Sequence, residues 1–161
     1  MYLVFLMANQ KQRQRASIEQ LLSTGFVELL TPATHGAYLV NSDENFNNIV
    51  SKAVYEEYRR ELEDYLRRNC TVVDKYEYDI PGVERGAVEL YNCPVGKVGV
   101  YKVAGYGSSE YDYEVYVGKN AWLDAESFAM ESLKKEIESG DLWSKRDQAM
   151  RIIKDIKHMP D

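Results

Sequence analysis

Histidine is nearly missing from this chain. His35 and His158 are the only two, and chemistry that needs paired imidazoles would require a hairpin turn and the C-terminal end to meet, so each is read as a lone surface side chain. Cysteine is as scarce. Cys70 and Cys93 stand too far apart for a CxxC metal or redox motif, and a small secreted scaffold would carry more, so both are expected to be reduced core thiols. Long apolar runs are lacking too. The longest, Met1 to Ala8, is too short to span a bilayer and has no cationic lead of the secretory kind, which points to a cytoplasmic protein without membrane association. Serine-hydrolase GxSxG spacing is absent. Gly105-Tyr106-Gly107-Ser108 has neither the spacing nor the lysine of a phosphate-cradling loop and reads as a flexible turn. No residue is therefore assigned to catalysis, to a metal or to a cofactor. Positive charge is also in deficit, with 20 Lys and Arg against 26 Asp and Glu and a net charge of −6. That balance opposes binding to a phosphate backbone. The basic runs Lys11, Arg13, Arg15 and Arg59, Arg60, Arg67, Arg68 alternate with polar or acidic neighbours, as solvated helix faces do.

What the chain does contain is enough apolar and aromatic residue to fold as one domain, residues 1–161: 45% is hydrophobic, and 161 residues suit one core. Residues 2–7, YLVFLM, read as a strand buried on both faces. Residues 10–24 carry Ile18, Leu21 and Leu22 on one helical stripe, closed by Gly25. Phe26 to Thr31, a turn over Pro32 to Gly36, and Ala37 to Val40 read as a hairpin. Ser42 or Asp43 is then expected to cap a long helix. Its stripe runs through Phe46, Ile49, Val50, Ala53, Val54, Tyr58, Leu62, Tyr65 and Leu66. Cys70 to Asp79 is rich in β-formers and ends in Ile80-Pro81-Gly82, a turn.

The order strand, helix, strand, strand, helix, strand is that of a ferredoxin-like βαββαβ unit. The segments MYLVFLMANQ, LLSTG, FVELLTPATHGAYLV and TVVDKYEYD resemble the small ferredoxin-like proteins related to the CRISPR adaptation nuclease. The resemblance implies a ferredoxin-like core over about residues 1–80. That family places a metal-binding aspartate after its first strand. Here Ala8-Asn9-Gln10 stands in its place, and a neutral amide is a poor anchor for a hard cation.

The half from 81 to 161 reads as an antiparallel β-meander followed by two helices, giving an α+β fold. Ala87 to Cys93, Lys97 to Gly105 and Glu110 to Val117 are β-rich and separated by turns. In the last, Tyr111, Tyr113, Val115 and Val117 alternate with Glu110, Asp112, Glu114 and Tyr116. A helix capped by Asn120 carries Trp122, Ala129, Met130, Leu133 and Ile137, and Gly140 ends it. A second starts at Asp141 and carries Leu142, Ala149, Ile152, Ile153 and Ile156.

The 13 tyrosines are the most unusual component, and they crowd beside acids. Tyrosine buries area at low entropic cost and keeps a hydroxyl, so Glu110, Tyr111, Asp112, Tyr113, Glu114 and Tyr116 are the candidate binding residues of an acidic docking surface. The competing explanation is that tyrosine packs one sheet face while the acids keep the other soluble. The first function expected is a non-catalytic interaction or inhibitor protein that docks on a basic protein surface, resembling in size and composition the acidic accessory proteins of phages and plasmids that block host defence. The alternative is a small enzyme similar to the phage S-adenosylmethionine lyases, for which Tyr38 and Glu44 stand at about the right place. Homo-oligomerisation through an exposed sheet edge fits either one.

Overall fold

The computed structural model describes residues 15–32, 36–42 and 46–160. Among these residues seven strands form one antiparallel sheet: β1 (Phe26–Leu30), β2 (Tyr38–Ser42), β3 (Phe46–Val50), β4 (Thr71–Ile80), β5 (Glu84–Cys93), β6 (Gly96–Gly105) and β7 (Asp112–Val117). Their order across the sheet is β3-β2-β1-β7-β6-β5-β4. Helices α1 (Ile18–Leu22) and α2 (Lys52–Asn69) lie on one face. On the other lie α3 (Ala121–Ser139) and α4 (Arg146–Ile156), joined by a 3-10 turn over Trp143–Lys145. The sheet is thus the middle of three layers, with a core on each side. Val27, Leu29, Val40, Tyr55, Tyr58, Leu62 and Val115 fill one core, and Ile80, Leu90, Tyr101, Trp122, Leu133 and Ile153 fill the other.

The α+β class, the hairpins and the two C-terminal helices are as expected; three features differ. Phe46–Val50 is a strand, paired along its length with Tyr38–Ser42, and the helix begins only at Lys52. Ser51 caps it, its hydroxyl accepting from the Val54 amide at 3.3 Å. The helical stripe persists from Val54 onward. Upstream of it, Asn47 and Asn48 have low helix propensity, and Ile49 and Val50 are β-branched, so the segment takes the pairing that β2 offers. Second, the pairings of the described residues do not make a βαββαβ unit. Both edges of β2 are taken, by β1 and β3, and β4 lies at the far side of the sheet from β1. The expected strand over residues 2–7, the Ala8-Asn9-Gln10 segment, His35 and Glu44 lie outside the described residues. Third, Cys70 and Cys93 are not separate thiols but a disulfide, with their Cα atoms 4.3 Å apart. It ties the C-cap of α2 to the end of β5.

Helix α3 sits very close to the sheet at one point. A Cβ added to Gly99 on β6 would fall 2.3 Å from the Ala121 carbonyl oxygen and 2.8 Å from Ala125 Cβ. Only glycine permits this approach.

Candidate functional site

The six predicted residues lie on or just before β7, which is not an exposed strand but the middle one of the seven described. Central position decides their roles, because both faces of a central strand are offered to a core. Tyr113 is only 2% exposed and Glu114 only 6%. The alternation read from the sequence is correct within the strand, yet it sorts side chains between two buried faces rather than between core and solvent.

On the α2 face the groups are consumed by internal contacts. Tyr113 donates to Glu63 Oε1 at 2.8 Å. Tyr55 donates to the Tyr111 carbonyl. The Tyr111 ring carries Arg85 at 5.3 Å and Lys102 at 5.1 Å from its centroid, and Arg85 Nε donates to its hydroxyl at 3.0 Å. Glu110 precedes the strand and leaves its alternation, reaching Lys52 Nζ at 3.5 Å and accepting from the Tyr38 hydroxyl at 3.4 Å. Tyr38 itself is buried against the Tyr55 ring at 4.8 Å, a packing role.

On the opposite face Asp112, Glu114 and Tyr116 come together with residues that the sequence reading passed over. Asp112 Oδ1 accepts from both the amide and the hydroxyl of Thr31, each at 2.7 Å, and so fixes the end of β1 to β7. Register then places Glu28 directly opposite Glu114, and Asn41 directly opposite Glu28. Cross-strand partners stand about 5 Å apart, so a row of Asn41, Glu28 and Glu114 runs across three strands. Two carboxylates cannot both ionise at that separation in a dry site. Burial, and then a hydrogen bond and charge repulsion from Glu28, push the Glu114 carboxyl up to about 10. Asn41 Oδ1 is buried and receives no hydrogen bond from a described residue. One pleat away Phe26 and Tyr116 are also cross-strand partners, their rings 5.3 Å apart, with Phe128 of α3 at 6.4 Å from Tyr116.

The described residues cover this face only in part. Helix α3 packs on β5, β6 and β7 and α4 on β4, while β1 and β2 meet α1 or α2 on the other side of the sheet. Leu30 and Leu39 are half-buried beside the carboxyls, and Ile49, opposite Leu39, is 77% exposed. The result is an open, partly apolar sheet surface with the protonated Glu114 carboxyl, opposite Glu28, at its inner margin. Glu28 could have been noticed as a lone charge inside the apolar run FVELL. Its partnership with Glu114 could not, since 86 residues of chain separate them and only strand order joins them.

A second acid pair lies deeper on the same face. Tyr78 donates to Glu84 Oε2 at 2.6 Å, and its oxygen is 2.7 Å from the Tyr101 hydroxyl. Burial and the hydrogen bond with Glu84 raise the Glu136 carboxyl to about 9. This network is closed over by α3 and satisfies itself. Among the described residues no group of His, Cys, Asp and Glu is arranged to hold a metal ion, and no helix is long and apolar enough to cross a membrane. Compared with family models, curated proteins and solved structures, the chain matches none of them.

Proposed function

We propose that the protein is a non-catalytic interaction protein that docks on a basic protein partner, as an inhibitor occupying a nucleic-acid-binding groove would. The docking surface is the open face around Glu28, Glu114, Asp112 and Tyr116. The observation that carries this is the Glu28–Glu114 register pair. Its proton sits on Glu114, held chiefly by burial and then by the Glu28 carboxylate opposite, and the pair lies at the margin of a partly apolar surface beside two aromatic rings. A lysine or arginine of a partner supplies a compensating positive charge, finds acceptors in Glu28, Glu114 and Asn41, and can lie over the Phe26 or Tyr116 ring. The net charge of −6 steers a basic partner toward the molecule. Docking then releases the Glu114 proton to solvent.

Proton release is the measurable signature. Calorimetric titration of an arginine-rich peptide, run in two buffers of different ionisation enthalpy at pH 7, is expected to give binding with close to one proton released. Glu114→Gln is expected to weaken binding and abolish the release, because it removes the buried carboxyl that carries the proton. Binding of equal strength by wild type and Glu114→Gln, or binding with no buffer dependence, would overturn the proposal.

A further inference from the structure

We infer that two copies of this chain associate edge to edge through β4, by antiparallel pairing of Lys75 with Glu77 of the second copy, into one continuous sheet. The inference is independent of the docking face, which lies over β7, β1 and β2, away from β4. Among the described strands β4 is an edge of the sheet, and it is ten residues long. An edge of that length presents a row of unpaired main-chain groups, a template for another strand. Its outer residues keep apolar surface in water: Val72 is 53% and Val73 36% exposed.

The hairpin shows which main-chain groups are free. The Val83 amide donates to the Ile80 carbonyl at 3.0 Å and Ile80 pairs with Glu84, so Ile80 turns its main-chain groups toward β5. Alternation along the strand then turns Tyr78 and Tyr76 inward, and Asp79, Glu77 and Lys75 outward. The Asp79 carbonyl already accepts from Gln148 Nε2 at 3.0 Å. Among the described residues, no strand lies on the outer side of the Lys75 and Glu77 amides and carbonyls.

Charge selects the register. A two-fold axis normal to the sheet continues each face into the same face of the second copy, so a residue can meet only residues an even number of positions away. Centring the axis on Tyr76 sets Lys75 opposite Glu77 twice, with exchange of main-chain hydrogen bonds at both pairs. Shifting it by one residue superposes Lys75 on Lys75 in one direction and Glu77 on Glu77 in the other. In the single chain Lys75 Nζ already lies 3.0 Å from Glu77 Oε1 and 3.2 Å from Glu89 Oε2. The favoured register therefore extends a charge ladder that exists on this face.

Analytical ultracentrifugation of the full chain tests the interface. Wild type is expected to be a dimer at tens of micromolar by the usual strength of such contacts. Glu77→Pro removes an outward amide without touching the β4–β5 ladder, and is expected to be a folded monomer by circular dichroism. Lys75→Glu and Glu77→Lys are each expected to be monomeric alone and to form a one-to-one heterodimer when mixed, since the mixture restores both opposite-charge pairs. A monomeric wild type, or a dimer that survives in Glu77→Pro, would overturn the inference. A mixture of the two charge variants that stays monomeric would overturn the register.

Discussion

Glu114 shows how a side chain can be correctly placed on a strand by its sequence and still be given the wrong environment. The carboxyl stands opposite Glu28 and is raised from 4.5 to about 10, chiefly by burial. A folded-state pKa above the unfolded one means that stability from this group is fully present below the unfolded value and is lost as pH rises toward the folded one. Glu136, raised to about 9 beside Glu84, acts with the same sign. Wild type is therefore expected to lose stability steadily from about pH 5 to pH 9. Glu114→Gln keeps the shape and removes one titration, so urea unfolding should find it more stable than wild type by about 1–2 kcal/mol at pH 9, with a shallower pH slope. Identical slopes would mean that the pair is hydrated and ionised. Gly99 is a second residue whose identity is set by one contact. An added methyl meets the main-chain oxygen of Ala121 at 2.3 Å, which cannot rotate away. Gly99→Ala should cost about 1–3 kcal/mol in the same assay, and a neutral result would show that α3 can lift from the sheet.

At the scale of elements, the Cys70–Cys93 disulfide decides how α2 ends. The helix has no side-chain or glycine cap at its C-terminus. Cys70 is already extended there, at φ −120° and ψ 155°, and the bridge to β5 holds the chain at its entry into β4. A disulfide closing a loop of 23 residues in sequence separation stabilises a fold by roughly 3 kcal/mol through the unfolded state. Thiol alkylation followed by mass spectrometry of the unreduced protein should find neither cysteine modified. The paired variant Cys70→Ser with Cys93→Ser should lose stability of that order. Two alkylated cysteines in native protein would return the pair to the reduced thiols expected from their small number and wide spacing. Bridged cysteines persist in oxidising surroundings, so the same measurement bears on where the protein works.

For the whole molecule, the sheet is shared by two cores that have no side chains in common. Leu62 lies in the core under α2 and Leu133 in the core under α3. Strands β5, β6 and β7 contribute to both, so the layers should melt together. Leu62→Ala and Leu133→Ala are each expected to cost about 2–5 kcal/mol and to shift one common transition. Trp122 and Trp143 both lie on the α3 and α4 side, so their fluorescence reports that layer. A Leu62→Ala protein whose tryptophan transition is unmoved while its circular dichroism transition falls would show that the layers unfold separately.

Much of the element inventory was legible because it rests on local chemistry. Periodicity of 3.6 marked α2 from Val54 onward, Gly140 marked the end of α3, and turn residues at Ile80-Pro81-Gly82 and Cys93-Pro94-Val95-Gly96 separated β4, β5 and β6. Local chemistry also erred where two choices were nearly balanced. Phe46, Ile49 and Val50 fit a helical stripe, and only the presence of β2 alongside made them a strand. The candidate site divides along the same line. Alternation in Asp112 to Val117 determined which side chains share a face, since that follows from strand geometry alone. Strand order determined what each face meets. With β7 placed between β1 and β6, an acidic, tyrosine-rich strand became the middle of the sheet, three of its six predicted residues were absorbed into contacts with α2 and β5, and the remaining three acquired Glu28 and Asn41 as neighbours. No spacing within the chain encodes that neighbourhood, because pairing between residues 86 positions apart is the product of the whole sheet closing around its two cores.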